Sequence, residues 1–272
     1  MTQETSPEHV YTLGHDEPVL RSHRSRTAQN SAFYLLPQLR PGMSLLDVGC
    51  GAGTITVDLA NIVAPGIVTA METTEAELAF ARAEVAARKC PNVVFAAGDV
   101  HDLEFADNYF DVVHAHQVLQ HVHDPVRALR EMVRVCKPGG TVAVRDTDYS
   151  AWAWFPADAH LDQWRDLYVS AARSNGGEPD AGRRLLAWAH AAGCRNVTTT
   201  TSTWCYADPD SRRAWGDAWA DRIVNSRIAT QLLNDGVATP SDLQRISAAW
   251  RGWAEHDDGW ISILHTEILI SV

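Results

Sequence analysis

The chain is poor in several things that would each open a function class. Among 272 residues there are 5 cysteines (Cys50, Cys90, Cys136, Cys194 and Cys205), at least 11 residues apart and with no CxxC pair. That spacing argues against a zinc cassette and a disulfide framework, and a reduced, cytoplasmic setting is expected. Basic residues are also short: 23 Lys+Arg stand against 34 Asp+Glu, a formal net charge of −11. Such a surface repels a phosphate backbone, so nucleic acid is not an expected partner. No uncharged apolar segment approaches the roughly 18 residues that span a bilayer. The opening stretch MTQETSPEHVYTLGHDEPVL has no basic run leading into an apolar one, so the chain reads as soluble and unexported. Tryptophan is missing from the first 151 residues, yet ten lie between Trp152 and Trp260. The two halves are therefore built differently.

What is present suffices for one core with an embellishment: 46% of residues are apolar and 21% charged. Residues 22–39 carry Ala32, Leu35, Leu36 and Leu39 at helical spacing and predict a mostly helical stretch. After Pro41-Gly42, MSLLDVG reads as a buried strand ending in the glycine turn GCGAG. Helices TITVDLANIV, EAELAFARAEVAARK and DPVRALREMVRVC then alternate with strands IVTAME, NVVFAAGD, FDVVHAH and GGTVAVRD. That alternation predicts right-handed crossovers and a parallel, doubly wound α/β sheet. Beyond Asp148 the rhythm changes. The expected division is an N-terminal helical arm (1–40), a ligand-binding core (41–148), a cap insert (149–182), a core helix and sixth strand (183–207), a second cap insert (208–257) and a seventh strand (258–272).

The informative stretch is Leu45-Leu46-Asp47-Val48-Gly49-Cys50-Gly51-Ala52-Gly53-Thr54. Glycines at a strand end let the backbone turn sharply and approach a ligand, while the following helix offers unpaired N–H groups. Glu72 ends the second strand 23 residues after Gly49, near the spacing at which an acid meets ribose hydroxyls. A nicotinamide dinucleotide would want a third glycine where Thr54 stands, since its pattern is GxGxxG.

These residues resemble class I S-adenosylmethionine-dependent methyltransferases. LLDVGCGAG is similar to their first motif, and the likeness continues through Glu72, Gly98-Asp99-Val100, FDVVHAHQVLQHV and VCKPGGTVAV in the family's order. Within that family the chain looks like the ubiquinone/menaquinone-biosynthesis (UbiE-like) small-molecule enzymes. The resemblance implies a Rossmann-like seven-stranded sheet with helical cap inserts after strand 5 and between strands 6 and 7. It implies S-adenosyl-L-methionine as cofactor. Asp47 would orient the loop or meet the methionine amino group, and Gly49, Cys50, Gly51 and Gly53 would pass under the methionine. Glu72 with Thr73 would hold the ribose, Asp99 and Val100 would frame the adenine, and His116 and Gln117 would border the methyl end.

His114, His116, His121 and His123 invite a metal reading, but no cysteine or carboxylate except Asp124 completes a set, and no metal is expected. His116, His121 and Asp146 are the candidate general bases, where the nucleophile needs one. Tyr11 and His15, on an N-terminal segment that such enzymes often fold over the site, are candidate substrate contacts, as are Tyr149, Trp152 and Arg183. His23, Arg26 and Asn30 belong to the same N-terminal group. Arg183 would either face the substrate or pair with a neighbouring acid. Tryptophans at helical spacing are most often packing residues, yet ten confined to the inserts and their flanking strands would as a lid suit a lipophilic or aromatic small-molecule acceptor such as a quinone, polyketide, terpenoid or indole product. Methyl transfer is the expected reaction. A non-methylating cyclisation at the same site, a non-catalytic role as a cofactor-binding partner, and a nicotinamide-dependent oxidoreductase are the rivals. A homo-oligomer is compatible with this composition.

Overall fold

The computed structural model describes residues 25–272. Five strands, β1 (Leu45–Val48), β2 (Val68–Glu72), β3 (Val93–Ala97), β4 (Phe110–His116) and β5 (Cys136–Thr147), pair in parallel in the order β3-β2-β1-β4-β5. β8 (Trp260–Ser271) runs antiparallel to β5, and β7 (Val197–Tyr206) runs antiparallel to β8 along its other edge. β1 is buried at all four positions, as a strand covered on both faces must be. Its residues alternate between two cores. Leu46 and Val48 join Val113 and Val144 under α4 (Pro125–Val135) and α6 (Leu185–Ala191). Leu45 joins Val112 and Ala143 under α1 (Ala28–Ser31), α2 (Thr54–Val63) and α3 (Glu75–Ala87).

Two expectations need correction. The predicted helix over 22–39 is, among the described residues, only the four-residue α1 and a 3₁₀ turn at Leu36–Gln38. Thr27 and Asn30 close a capping box that starts α1, but Pro37 removes a donor and restricts Leu36. Ala32, Leu35 and Leu39 are nonetheless buried, so their spacing reported burial and not a continuous helix. The sheet also has eight strands where seven were expected. The extra one, β6 (Ala153–Phe155), pairs with Trp260–Ser262 and resumes the edge of β8 that β5 leaves at His265. Three residues carry no periodicity by which a strand could be read.

The segments expected as cap inserts hold α5 (Ala159–Ser174), and α7 (Pro209–Asn225), α8 (Arg227–Asn234) and α9 (Pro240–Glu255). Together they enclose a third core built on Tyr149, Trp152, Trp164, Tyr168, Trp219, Trp250 and Trp253. Trp164 meets Trp219 and Trp250 edge to face, with centroids 4.6 and 4.9 Å apart. Such pairs each add about 0.5–1.5 kcal/mol beyond the area they bury. Among the described residues no helix is long and apolar enough to cross a membrane.

Candidate active site

The loops leaving β1, β2, β3 and β4 at their carboxyl ends surround a cavity of about 740 Å³. This is the edge at which ligands sit in open α/β sheets. The turn after β1 is possible only with glycine. Gly49 has φ +66°, and a Cβ there would lie 2.5 Å from Val118 Cγ2. Gly53, at the start of α2, has φ +80°, and its Cβ would come within 2.8 Å of the Ala81 backbone. Gly49, Cys50 and Gly51 line the cavity; Gly53 sets the turn from behind.

Glu72 and Thr73 line the same wall, and Glu72 Oε1 accepts from the Gly51 N–H at 2.6 Å. The acid thus ties the second strand to the glycine turn. Burial pushes its carboxyl up to about 7, against the pull of the Gly51 bond. Thr73 donates its hydroxyl to Glu77. Asp47, 3% exposed, accepts from Thr56 Oγ1 at 2.6 Å and pairs with His114 Nδ1 at 2.7 Å, which fixes it between α2 and β4. His114 is spent in that pair, and no group of three metal-ligating side chains occurs among the described residues. Asp99 and Val100 line the far wall. Partial burial pushes the Asp99 carboxyl up, but bonds from His101 N–H at 2.9 Å and Nδ1 at 2.6 Å outweigh it and hold the group below the usual carboxylate range.

At the end of β4, His116 and Gln117 close the other side of the cavity. Gln117 sits at φ +56°, a strained conformation for a non-glycine residue. Its side chain accepts from Arg26 Nη2 at 2.8 Å and donates to His265 Nε2 at 2.9 Å, while His265 Nδ1 faces the Ile263 carbonyl at 3.0 Å. His265 is therefore the neutral Nδ1–H tautomer. His116 is 6% exposed, and neither ring nitrogen has a hydrogen-bond partner. Burial first, then Arg145 and Arg26, push its pKa well below the ordinary histidine value. His121 also lines the cavity and meets Gln120 Nε2 at 2.9 Å.

Other expected site residues lie elsewhere. Asp146 is fully buried off the cavity, where its Oδ1 accepts from Gln120 N–H at 3.2 Å; burial pushes its carboxyl up to about 8. Tyr149 and Trp152 stack on each other at 4.2 Å inside the aromatic core. Arg183 forks onto Asp148 with two contacts of 2.6 Å and does not reach the cavity lining. Tyr11, His15 and His23 fall outside the described residues. No tryptophan lines the cavity, and those of the inserts pack on one another, the commoner role for tryptophan at helical spacing. Trp204 alone approaches the site, its ring 5.7 Å from His116. Sequence reasoning missed Phe80, His101 and Arg127, which line the cavity. A phenylalanine in the Ala- and Glu-rich helix just after Glu72 was the available signal for the first.

A family described as a methyltransferase domain matches residues 39–204. An uncharacterized methyltransferase of Schizosaccharomyces pombe is 36% identical over 262 residues, covering 92% of this chain and 91% of its own. A demethylmenaquinone methyltransferase of Renibacterium salmoninarum is 34% identical over 115 residues, 42% of this chain and 46% of that one. Among solved structures, phosphoethanolamine N-methyltransferase 2 of Haemonchus contortus in complex with S-adenosyl-L-methionine superposes with a TM-score of 0.60 at 16% identity. That likeness covers 98% of this chain and 61% of that one, and is a likeness of fold.

Proposed function

Since the chain belongs to the S-adenosylmethionine-dependent methyltransferases, we propose that its acceptor is a lipophilic or aromatic small molecule of quinone or natural-product type. The observation that carries this reading is one cavity with a polar glycine-and-carboxylate end and a second end at His116 and Gln117. Bound there, S-adenosylmethionine supplies an electrophilic methyl group on a sulfonium sulfur. The residues fit it: the glycine turn leaves space that a Cβ would fill, and Glu72 presents a carboxylate beside it. In this reading Gly49, Cys50 and Gly51 bind the methionine part with Asp47 bracing the loop. Glu72 and Thr73 take the ribose, and Asp99 with Val100 takes the adenine. Gln117 orients the reacting end, and His116 and His121 are the side chains placed to touch an acceptor. Holding the partners in line and excluding water can supply most of the rate. Support for the acceptor class comes from the demethylmenaquinone relative and from apolar lining at Val48, Ile55, Phe80, Val118 and Val122. The inserts would cap this edge.

The test is turnover with S-adenosylmethionine and a panel of quinols, naphthols and indoles, read by mass. A gain of one CH₂ with release of S-adenosylhomocysteine is expected. Turnover confined to proteins, nucleic acids or highly polar metabolites would overturn the acceptor class, and a product of unchanged mass would favour the cyclisation reading.

A further inference from the structure

Behind His116 the sheet carries polar side chains that cofactor binding leaves unused. His116 pairs in register with Arg145 on β5, and Arg145 with Glu267 on β8, so the three project from one face of adjacent strands. Glu267 is fully engaged. It accepts from Arg145 Nε at 3.2 Å, Ser202 Oγ at 2.5 Å and Thr200 Oγ1 at 2.8 Å. Arg145, 1% exposed, also reaches Ser202 through Nη2 at 3.2 Å, but its Nη1 has no partner. The buried Tyr34 hydroxyl has none either, nor has the His116 ring. All three can donate; of the carboxylates near them Glu267 is engaged as above and Asp47 by Thr56 and His114, while Asp146, whose neighbour Gln120 holds Oδ1, is kept largely protonated by burial that pushes its carboxyl up to about 8. Buried donors left unmet cost free energy with nothing returned, and such clusters want an acceptor.

The surroundings favour an acceptor that is negative. Arg145 and Arg26 lie 4.9 and 5.6 Å from the Trp204 ring centre, and His265 lies 4.4 Å from it. The charged and titratable groups facing His116 are Arg145, Arg26, His265 and His114, and the cationic ones depress its basicity. His265 is itself held well below its ordinary pKa, by burial and then by Arg145. A field that makes His116 a poor base makes its N–H a good donor to an anion.

Resting on the methyltransferase reading above, we propose that the acceptor binds as the oxyanion of an acidic hydroxyl, a phenol or enol, with its oxygen on His116. On binding the O–H bond breaks, the oxygen keeps the electron pair and the proton goes to solvent water. His116, which lines the cavity, touches the oxygen. Arg145 and Tyr34 stand behind it as positioning groups that stabilise the charge.

The test uses full-length protein loaded with S-adenosylhomocysteine and two probes, 2-naphthol and 2-methoxynaphthalene, followed by naphtholate absorption and by calorimetry in buffers of different ionisation enthalpy. The expectation is that bound 2-naphthol ionises at least about one pH unit below its free value, with proton release. The ether should bind about tenfold more weakly or worse. Tyr34→Phe should shrink the shift. The pair Arg145→Met with Glu267→Met, which leaves no uncompensated buried charge, should abolish it while S-adenosylhomocysteine still binds. Naphthol bound neutral, or a shift that survives the double variant, overturns the proposal. Equal binding of the two probes overturns it while leaving the aromatic-acceptor class standing. If neither probe binds the loaded protein, both fall.

Discussion

Two regions of this molecule use unusual side chains in opposite ways. The insert helices spend Trp164, Trp219 and Trp250 on one another, each fully buried. Their indole N–H groups lack hydrogen-bond partners, but they lie among ring faces set at 72° and 87°, where an N–H can meet a π cloud. The carboxyl edge of the parallel strands holds its strain open. Gly49 and Gln117 sit at positive φ, Glu72 is largely withdrawn from water, and His116 is buried without a partner, all around the cavity. Unmet groups beside charges and a cavity mark a site; unmet groups among aromatic rings mark packing.

If the division is real, damage to one region should spare the other. The largest effect belongs to Trp164→Ala, which empties the centre of the aromatic core and should cost about 3–5 kcal/mol in denaturant unfolding. S-adenosylhomocysteine affinity of the folded protein should change less than about twofold. A collapse of affinity at temperatures where the variant is folded would show the two regions to be one cooperative site. Gly49→Ala reverses the pattern. A side chain at φ +66° and 2.5 Å from Val118 must strain the turn, at about 1–3 kcal/mol. Calorimetry should record S-adenosylhomocysteine affinity falling by roughly tenfold or more.

The same division explains what the sequence disclosed. The glycine turn, Glu72 and Asp99 were legible as parts of one cavity because the signal for each is local: a strand end, a tight turn, an acid at fixed spacing. The tryptophans left two readings open because at helical spacing packing and recognition use the same residues, and only neighbours 50 or more positions away, as with Trp164 and Trp219, tell them apart. β6 escaped notice because its only signal is its partner on β8. Arg145 and Glu267 were invisible as a site, since their meeting depends on β8 inserting antiparallel beside β5.

Glu72 sharpens the comparison through pH. With burial raising its carboxyl from about 4.5 to about 7, the empty folded protein binds more protons there than the unfolded chain does across that interval. Its stability should therefore fall as pH climbs from about 4.5 to about 7, because the folded state must surrender that proton. On the ribose role proposed for Glu72, cofactor affinity should run the other way, since the hydroxyls would donate to the ionised form. A single group titrating near 7 predicts S-adenosylhomocysteine binding about tenfold tighter at pH 8 than at pH 6, and Glu72→Gln should flatten the profile. An unchanged profile in that variant would take the ribose role from Glu72.

The smallest expected effect tests the boundary between the regions. Arg183 lies where the first insert returns to the core, and its fork holds Asp148 just past the end of β5. The arginine is 51% exposed, so water screens the pair and Arg183→Met should cost only about 1 kcal/mol. Arg183 does not line the cavity, so KM for any acceptor should stay within about twofold of the parent. A large rise in KM with kcat unchanged would mean that the insert reaches the acceptor after all. The aromatic layer would then be part of the site's wall and not merely the core beside it.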